Sequence, residues 1–376
     1  MECREVWSAC PHGALLCTQT NSTTPPSFAD SRPRLVCCVG CTAVSDGLLA
    51  AVFVSAASVS LMTSWLLVSR LERIGARLGL SEALLGMLAA LAADAPEITA
   101  SVTALAGHHS RIGAGVVIGS NVFNLAALLG LGAVVAGEIE LHRRVIILEG
   151  TVAMLIATVC LGVVLGGPGP AVGLLVAVAV LIPYLIVSGV SPERLGDLGL
   201  PRGFARWLSD AVAEEEQELE PAVHPPRGKS LDVIVAVLAT AVVVGASIAM
   251  ELTASKWGVR HHVAEVVIGG LVLAGVTSLP NAVSALYLAV RGRGAATLSI
   301  ALNSNALNVT VGLLLPGIFV GLGSPSGPGT VVAAWYLGLT AVTLACAYAG
   351  RGLRRAHGAL IICGYVAFIA AVLISS

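Results

Sequence analysis

The chain is 376 residues long, with 56% hydrophobic and 11% charged side chains, a net charge of −1 and a mean hydropathy of +0.89. A soluble domain averages about 25% charged residues, so the composition excludes an ordinary water-soluble fold and predicts an all-α membrane protein. The near-neutral balance says nothing about partners; a lipid bilayer is the one the composition leads us to expect, with no nucleic acid and no cofactor.

Taken from the N-terminus, residues 1–45 form a leader without helical periodicity. It holds Cys3, Cys10, Cys17, Cys37, Cys38 and Cys41, together with Asn21-Ser22-Thr23 and Pro25-Pro26. An exported disulfide or metal-binding cap is one reading; a disordered leader is the expected one. No apolar run sits where a cleaved signal would need it. Beyond it come about ten apolar stretches, each long enough for a bilayer, which takes about 20 residues. They cover roughly 47–69, 82–106, 112–136, 145–166, 170–190, 231–251, 265–290, 295–320, 329–349 and 357–375. One polar segment, 191–230, separates a first half, 46–190, from a second, 231–376. It contains Glu214-Glu215-Glu216 and a proline-rich run at 221–226, and reads as a solvated linker with a short surface helix over 201–218.

The basic residues alternate between connecting segments. One set holds Arg70, Arg73, Arg77, Arg143, Arg144, Arg194, Arg202, Arg206, Arg227, Lys229, Arg291, Arg293, Arg351, Arg354 and Arg355; the other holds only Arg111, Lys256 and Arg260. That asymmetry puts the first set in the cytoplasm and both termini outside. Five spans per half is an odd number, so the two halves are expected to be inverted repeats related by a pseudo-two-fold axis in the membrane plane. Trp257 and Trp335 fall near predicted outer edges, as interfacial aromatics do. Cys160, Cys346 and Cys363 read as small core residues. His108-His109 and His261-His262 fall in outward loops.

The stretch from Leu85 to Gly132 matches its cousin 184 positions later without a gap. Pro96-Glu97 falls on Pro280-Asn281, Ser120-Asn121 on Ser304-Asn305, Asn124 on Asn308 and Gly86 on Gly270. Polar groups at membrane depth are costly, so two copies at one offset point to one site built by two halves. In L-A-A-D-A-P-E the proline removes a donor and clashes with the preceding turn, so the span should break there. Asp94 and Glu97 lie three apart and share a face if the helix continues. Ser120 and Asn124 lie four apart, as do Thr277 and Asn281, and Ser304 and Asn308. Gly113, Gly115 and Gly119 permit close helix packing. Carboxylates, amides, hydroxyls and freed carbonyls are hard oxygen ligands, suited to Ca²⁺, Na⁺ or protons. The absence of nearby Cys or His argues against Zn²⁺ or Cu⁺.

These blocks resemble the α-repeats of the calcium/cation antiporter superfamily, which includes the sodium/calcium exchangers. Its first-repeat pattern, G-T-S-x-P-E followed by G-S-N-x-F-N, is met by A-A-D-A-P-E and G-S-N-V-F-N; the second by V-T-S-L-P-N and N-S-N-A-L-N. The resemblance covers roughly 46–376. It implies that Glu97 is the first-repeat acid, that Ser120, Asn124, Ser304 and Asn308 are ligands on the following helices, and that Thr277 and Ser278 are the hydroxyl pair of the second repeat. Two positions depart from the pattern. The first-repeat Thr-Ser pair is Ala93-Asp94, and the second-repeat acid is Asn281. Either Asp94 replaces the lost charge from the other side, or it is a separate proton or Na⁺ site.

The function so implied is secondary active antiport in a multi-pass protein, of Ca²⁺ against Na⁺ or H⁺, through alternating access. A bacterial-type plasma membrane is the expected location. Two carboxylates neutralise one Ca²⁺, and an unloaded site carries buried charge that opposes reorientation. A monovalent cation/proton exchanger and a cation channel are the alternatives. An intramembrane hydrolase is disfavoured, because no H-E-x-x-H or G-x-S-x-G motif is present.

Overall fold

The structure is a computed structural model that describes residues 7–9, 15–17, 45–78, 88, 90–189, 201–219 and 229–375. The chain divides into two units, Met1–Ser45 and Asp46–Ser376. In the first, β1 (Trp7–Ala9) pairs antiparallel with β2 (Leu15–Cys17), Trp7 opposite Cys17. The other leader cysteines and the expected Asn21-Ser22-Thr23 and Pro25-Pro26 features lie outside the described residues.

The second unit is almost wholly helical. In chain order it contains α1 (Asp46–Leu78), α2 (Ala95–Ala106), α3 (Ser110–Ala136), α4 (Arg143–Val164), α5 (Pro170–Gly189), α6 (Arg202–Leu219), α7 (Ser230–Arg260), α8 (Glu265–Thr277), α9 (Leu279–Val290), α10 (Gly294–Val320), α11 (Gly327–Gly350) and α12 (Arg355–Ser375). Among the described residues eight helices are long and apolar enough to cross a membrane; α8 and α9, bent by 48° at their junction, make a ninth when taken as one span. The first part of the stretch 82–106 lies largely outside the described residues, Gly86 included.

The 184-residue spacing read from the motifs recurs at four pairs of helix starts. Asp46 and Ser230, Ala95 and Leu279, Ser110 and Gly294, and Arg143 and Gly327 are helix starts separated by the same 184 positions as the paired residues Asn121 and Asn305. α3 and α10 form the centre, with 83% and 72% of their most apolar windows buried, against 28% for α1 and α7. α3 and α8 approach backbone to backbone. A Cβ on Gly119 would fall 2.2 Å from the Gly270 carbonyl oxygen, and one on Gly269 would fall 2.3 Å from that of Ile112. Without a hydrophobic drive between helices in lipid, such small-residue contacts supply the packing.

Polar contacts gather the loops at two ends. At one end Arg260 and His261 meet Asp46 at 2.6 and 3.2 Å, and His109 lies 3.5 Å from Glu265. At the other Arg70 meets Asp232 at 2.7 Å and Arg144 meets Asp210 at 3.3 Å. That second end also carries a feature absent from the helical reading. β3 (Glu138–Glu140) and β4 (Gly352–Arg354) pair antiparallel, Ile139 opposite Leu353. Gly352 is what permits it: φ is +141°, and an added Cβ would sit 2.3 Å from the Ile139 carbonyl oxygen.

Several expectations need correction. α1 and α7 both run past their apolar stretches at their C-terminal ends: α1 continues to Leu78 beyond Arg70, which meets Asp232 at the start of α7, and α7 continues to Arg260, which meets Asp46 at the start of α1. Trp335 is not an edge anchor. It lies eight residues into α11, about 12 Å along a helix, and its indole N–H donates to the Gly364 carbonyl of α12 at 3.1 Å. Cys160 is buried and Cys346 half-buried, but Cys363 is exposed on α12. The linker helix spans Arg202–Leu219, with Ala205, Leu208, Ala211 and Val212 buried on one face.

Candidate cation site

Both polar motifs fold as expected from their prolines. Asp94 and Ser278 immediately precede new helices, with φ/ψ of −79°/−8° and −81°/−3°, and Pro96 and Pro280 follow as second helical residues. A proline there cannot donate to the carbonyl four residues back, which frees Ala92 and Val276 carbonyls at the breaks. On α3 and α10 the helix widens into π turns over Leu125–Gly130 and Asn308–Leu314, next to the last asparagine of each motif. Such turns recur at functional sites.

The breaks bring the motif residues into one buried cluster. Asp94, Glu97, Ser120, Asn124, Ser278, Ser304 and Asn308 have no exposed surface, and Thr277 and Asn281 have 1%. Asp94 Oδ1 accepts from Asn281 Nδ2 and from the Ser304 hydroxyl, both at 2.6 Å. Glu97 Oε1 accepts from the Ser278 hydroxyl, and Oε2 from Asn308 Nδ2 at 2.7 Å. Asn124 Nδ2 donates to the Ser304 hydroxyl at 3.2 Å. Two proposed ligands are in the cluster but turned elsewhere. Ser120 donates to its own helix at Val117, and Thr277 to Leu273, both at 2.9 Å.

The contacts explain the departures from the motif. Asp94 is equivalent to Ser278, and Glu97 to Asn281. Ser278 touches Glu97, and Asp94 touches Asn281; the two contacts are images of each other. In one the carboxylate sits at the proline-flanked position and its partner is a hydroxyl. In the other the carboxylate has moved across the contact, and the proline-flanked position holds an amide donor. Asp94 and Asn281, positions that depart from the family pattern, are joined by a direct hydrogen bond.

Three buried side-chain oxygens, Asp94 Oδ2, Asn124 Oδ1 and Asn308 Oδ1, have no hydrogen-bond partner among the described residues. Buried acceptors without donors are costly, and a hard cation is the species that would satisfy them together. No Lys or Arg falls within 82–106, 112–136, 265–290 or 295–320 to neutralise the acids instead. The sequence reading missed Asn121 and Asn305. Asn121 Nδ2 donates to the Asn305 carbonyl at 3.0 Å, and Asn305 Nδ2 donates to the Asn121 carbonyl at 3.1 Å. Their shared place in S-N-x-x-N at the repeat offset was the available signal.

Known proteins resemble this chain in sequence and in fold. A putative antiporter, CaxA, of Alkalimonas amylolytica is 32% identical over 108 residues, 27% of this chain and 34% of that protein, so the match spans about a third of the relative. Among solved structures, the H⁺/Ca²⁺ exchanger CAX superposes with a TM-score of 0.62 at 15% identity, covering 87% of this chain and 86% of the other. Native YfkE gives 0.59 at 19%, covering 87% and 92%. The sodium-calcium exchanger NCX_Mj gives 0.56 at 20%, covering 87% and 100%. At such identities the likeness is one of fold. The family model described as sodium/calcium exchanger protein matches residues 48–191 and 231–374. These two segments take in both motif-bearing halves, and the chain belongs to the sodium/calcium exchanger protein family.

Proposed function

We propose that the chain is a secondary active cation antiporter that moves Ca²⁺ against Na⁺ or H⁺ by alternating access. The observation that carries this reading is the convergence of Asp94 and Glu97, with three unpartnered oxygens, in one cluster sealed from water and free of basic side chains. Together the two carboxylates balance one divalent ion, two Na⁺ or two protons. Empty and ionised, they hold buried charge, which opposes passage through an apolar barrier. Exchange rather than leak follows from that cost alone. The names of CaxA, CAX and NCX_Mj, relatives called antiporters and exchangers, support the same reading.

In this account the unit from Asp46 onward has ten spans, as two five-helix repeats inverted in a multi-pass bacterial-type plasma membrane. The recurrence of helix starts and the division of loop contacts between two ends support it. The end that carries Arg70, Arg144 and Arg354 faces the cytoplasm. Asp94, Glu97, Asn124, Ser278, Asn281, Ser304 and Asn308 line the path of the ion; Ser120 and Thr277 reach it after rotation of their hydroxyls.

Flux in proteoliposomes loaded with Ca²⁺ tests the proposal. Efflux should need an external Na⁺ gradient or an acid step and stop without one. Steady Ca²⁺ leak without a counter-ion would favour a channel, and Na⁺/H⁺ exchange indifferent to Ca²⁺ would favour the monovalent alternative.

A further inference from the structure

Beside the carboxylates, four asparagines form a chain of contacts, Asn124–Asn305–Asn121–Asn308, that obeys the symmetry of the repeat. Asn121 and Asn305 each give their side-chain N–H to the other's backbone carbonyl, at 3.0 and 3.1 Å. Each then offers its side-chain oxygen to the other half's motif. Asn305 Oδ1 accepts from Asn124 Nδ2 at 3.1 Å, and Asn121 Oδ1 accepts from Asn308 Nδ2 at 3.3 Å. All four residues are buried, with at most 1% exposed.

The orientation of two amides follows from this chain of contacts. A side-chain amide has a donor end and an acceptor end, and only the oxygen end attracts a cation. Asn124 and Asn308 have their N–H ends occupied, while both oxygens have no hydrogen-bond partner among the described residues. Turning either amide over would point a donor at the ion and bring its oxygen against the oxygen of Asn121 or Asn305. Simple fastening of α3 to α10 would need only the two bonds to backbone carbonyls. The two amide–amide bonds are additional, and each ends on a residue of the ion cluster.

We infer that Asn121 and Asn305 are positioning residues of the cation site, which lock Asn124 and Asn308 with their oxygens toward the transported ion. The inference rests on the cation-exchange reading above. It makes the two halves mutually dependent, because each half's ligand amide is oriented by a residue of the other.

The test is Ca²⁺ uptake by proteoliposomes as a function of Ca²⁺ concentration, for wild type, Asn121→Ala, Asn308→Ala and the double variant, with Asn305→Ala, Asn124→Ala and their double variant as the mirror set. Loss of an outer-layer partner of a metal ligand costs about 10- to 100-fold in affinity. Asn121→Ala should therefore raise half-saturating Ca²⁺ about 10-fold, with maximal rate and melting temperature in detergent held. Once Asn308 is already Ala, removal of Asn121 should add nothing, because its effect runs through that amide. The mirror set should behave alike. Equal factors in both backgrounds would assign the pair to packing and overturn the inference, as would joint loss of melting temperature and flux in both Asn121→Ala and Asn305→Ala. The underlying reading is tested separately by Glu97→Gln: undiminished Ca²⁺ transport in that variant would remove the site itself.

Discussion

The two halves of the membrane unit share a backbone but not a chemistry. Helix starts, the break before each proline and the asparagine contacts recur at one offset, and each half has a π turn beside its last motif asparagine. The carboxylates do not: Asp94 and Glu97 both come from the first half, and the second half meets them with donors from Ser278, Asn281, Ser304 and Asn308. An exchanger that opens to either side needs two matched packings, which constrains the backbone of both halves. Its ion needs only a total charge at one place. The fold therefore holds positions by symmetry while the acids are free to move within the shared cluster.

The largest expected effect comes from the acid that stays at the proline-flanked position. Glu97→Gln keeps the shape of the side chain and removes its charge. Exchange in proteoliposomes should fall to background, while the purified protein keeps its elution profile. Wild-type flux in this variant would place the ion elsewhere.

The difference between halves can also be sharpened at the glycine contact. A Cβ on Gly119 would press into the Gly270 backbone at 2.2 Å, whereas a Cβ on Gly270 meets nothing closer than the Gly115 carbonyl oxygen at 3.7 Å. Gly119→Ala should destabilise the protein by about 1–3 kcal/mol, as overpacking does, and lower its melting temperature in detergent. Gly270→Ala should leave it nearly unchanged. Equal shifts would show that α3 and α8 are free to part.

A still smaller perturbation tests the orientation of the halves. A single cysteine at the exposed position of Arg206, in a protein whose nine native cysteines are replaced, should leave transport intact and react with an impermeant reagent from the cytoplasmic side only. Labelling from outside would reverse the proposed topology.

Much of this was legible in the sequence because the repeat is ungapped and its costly residues are few. Pro96 and Pro280 mark the breaks by what they cannot donate, and Asn281 together with the extra Asp94 marked the departure from the pattern, leaving Asp94 either as a replacement charge or as a separate proton or Na⁺ site. Other features depend on neighbours that no spacing reveals. Trp335 turns toward α12, where its indole N–H donates to the Gly364 carbonyl. The β3–β4 ladder is three residues long and exists because Gly352 lets two loops touch. The C-terminal ends of α1 and α7 are polar, so hydropathy stops short while the helices continue, α1 past the Arg70–Asp232 contact and α7 to the Arg260–Asp46 contact. Asn121 and Asn305 stood in the motif, but a reciprocal bond to backbone becomes visible only when the two helices cross.

The central claim is that Asp94 supplies the carboxylate that position 281 lacks, across a direct contact. Moving the charge back tests it most directly, by Ca²⁺ flux in proteoliposomes of Asp94→Ser, Asn281→Glu and the double variant. The account predicts that Asp94→Ser loses transport and that Asp94→Ser with Asn281→Glu regains a measurable part of it, since the site again holds two acids. Normal Ca²⁺ transport by Asp94→Ser alone would contradict it.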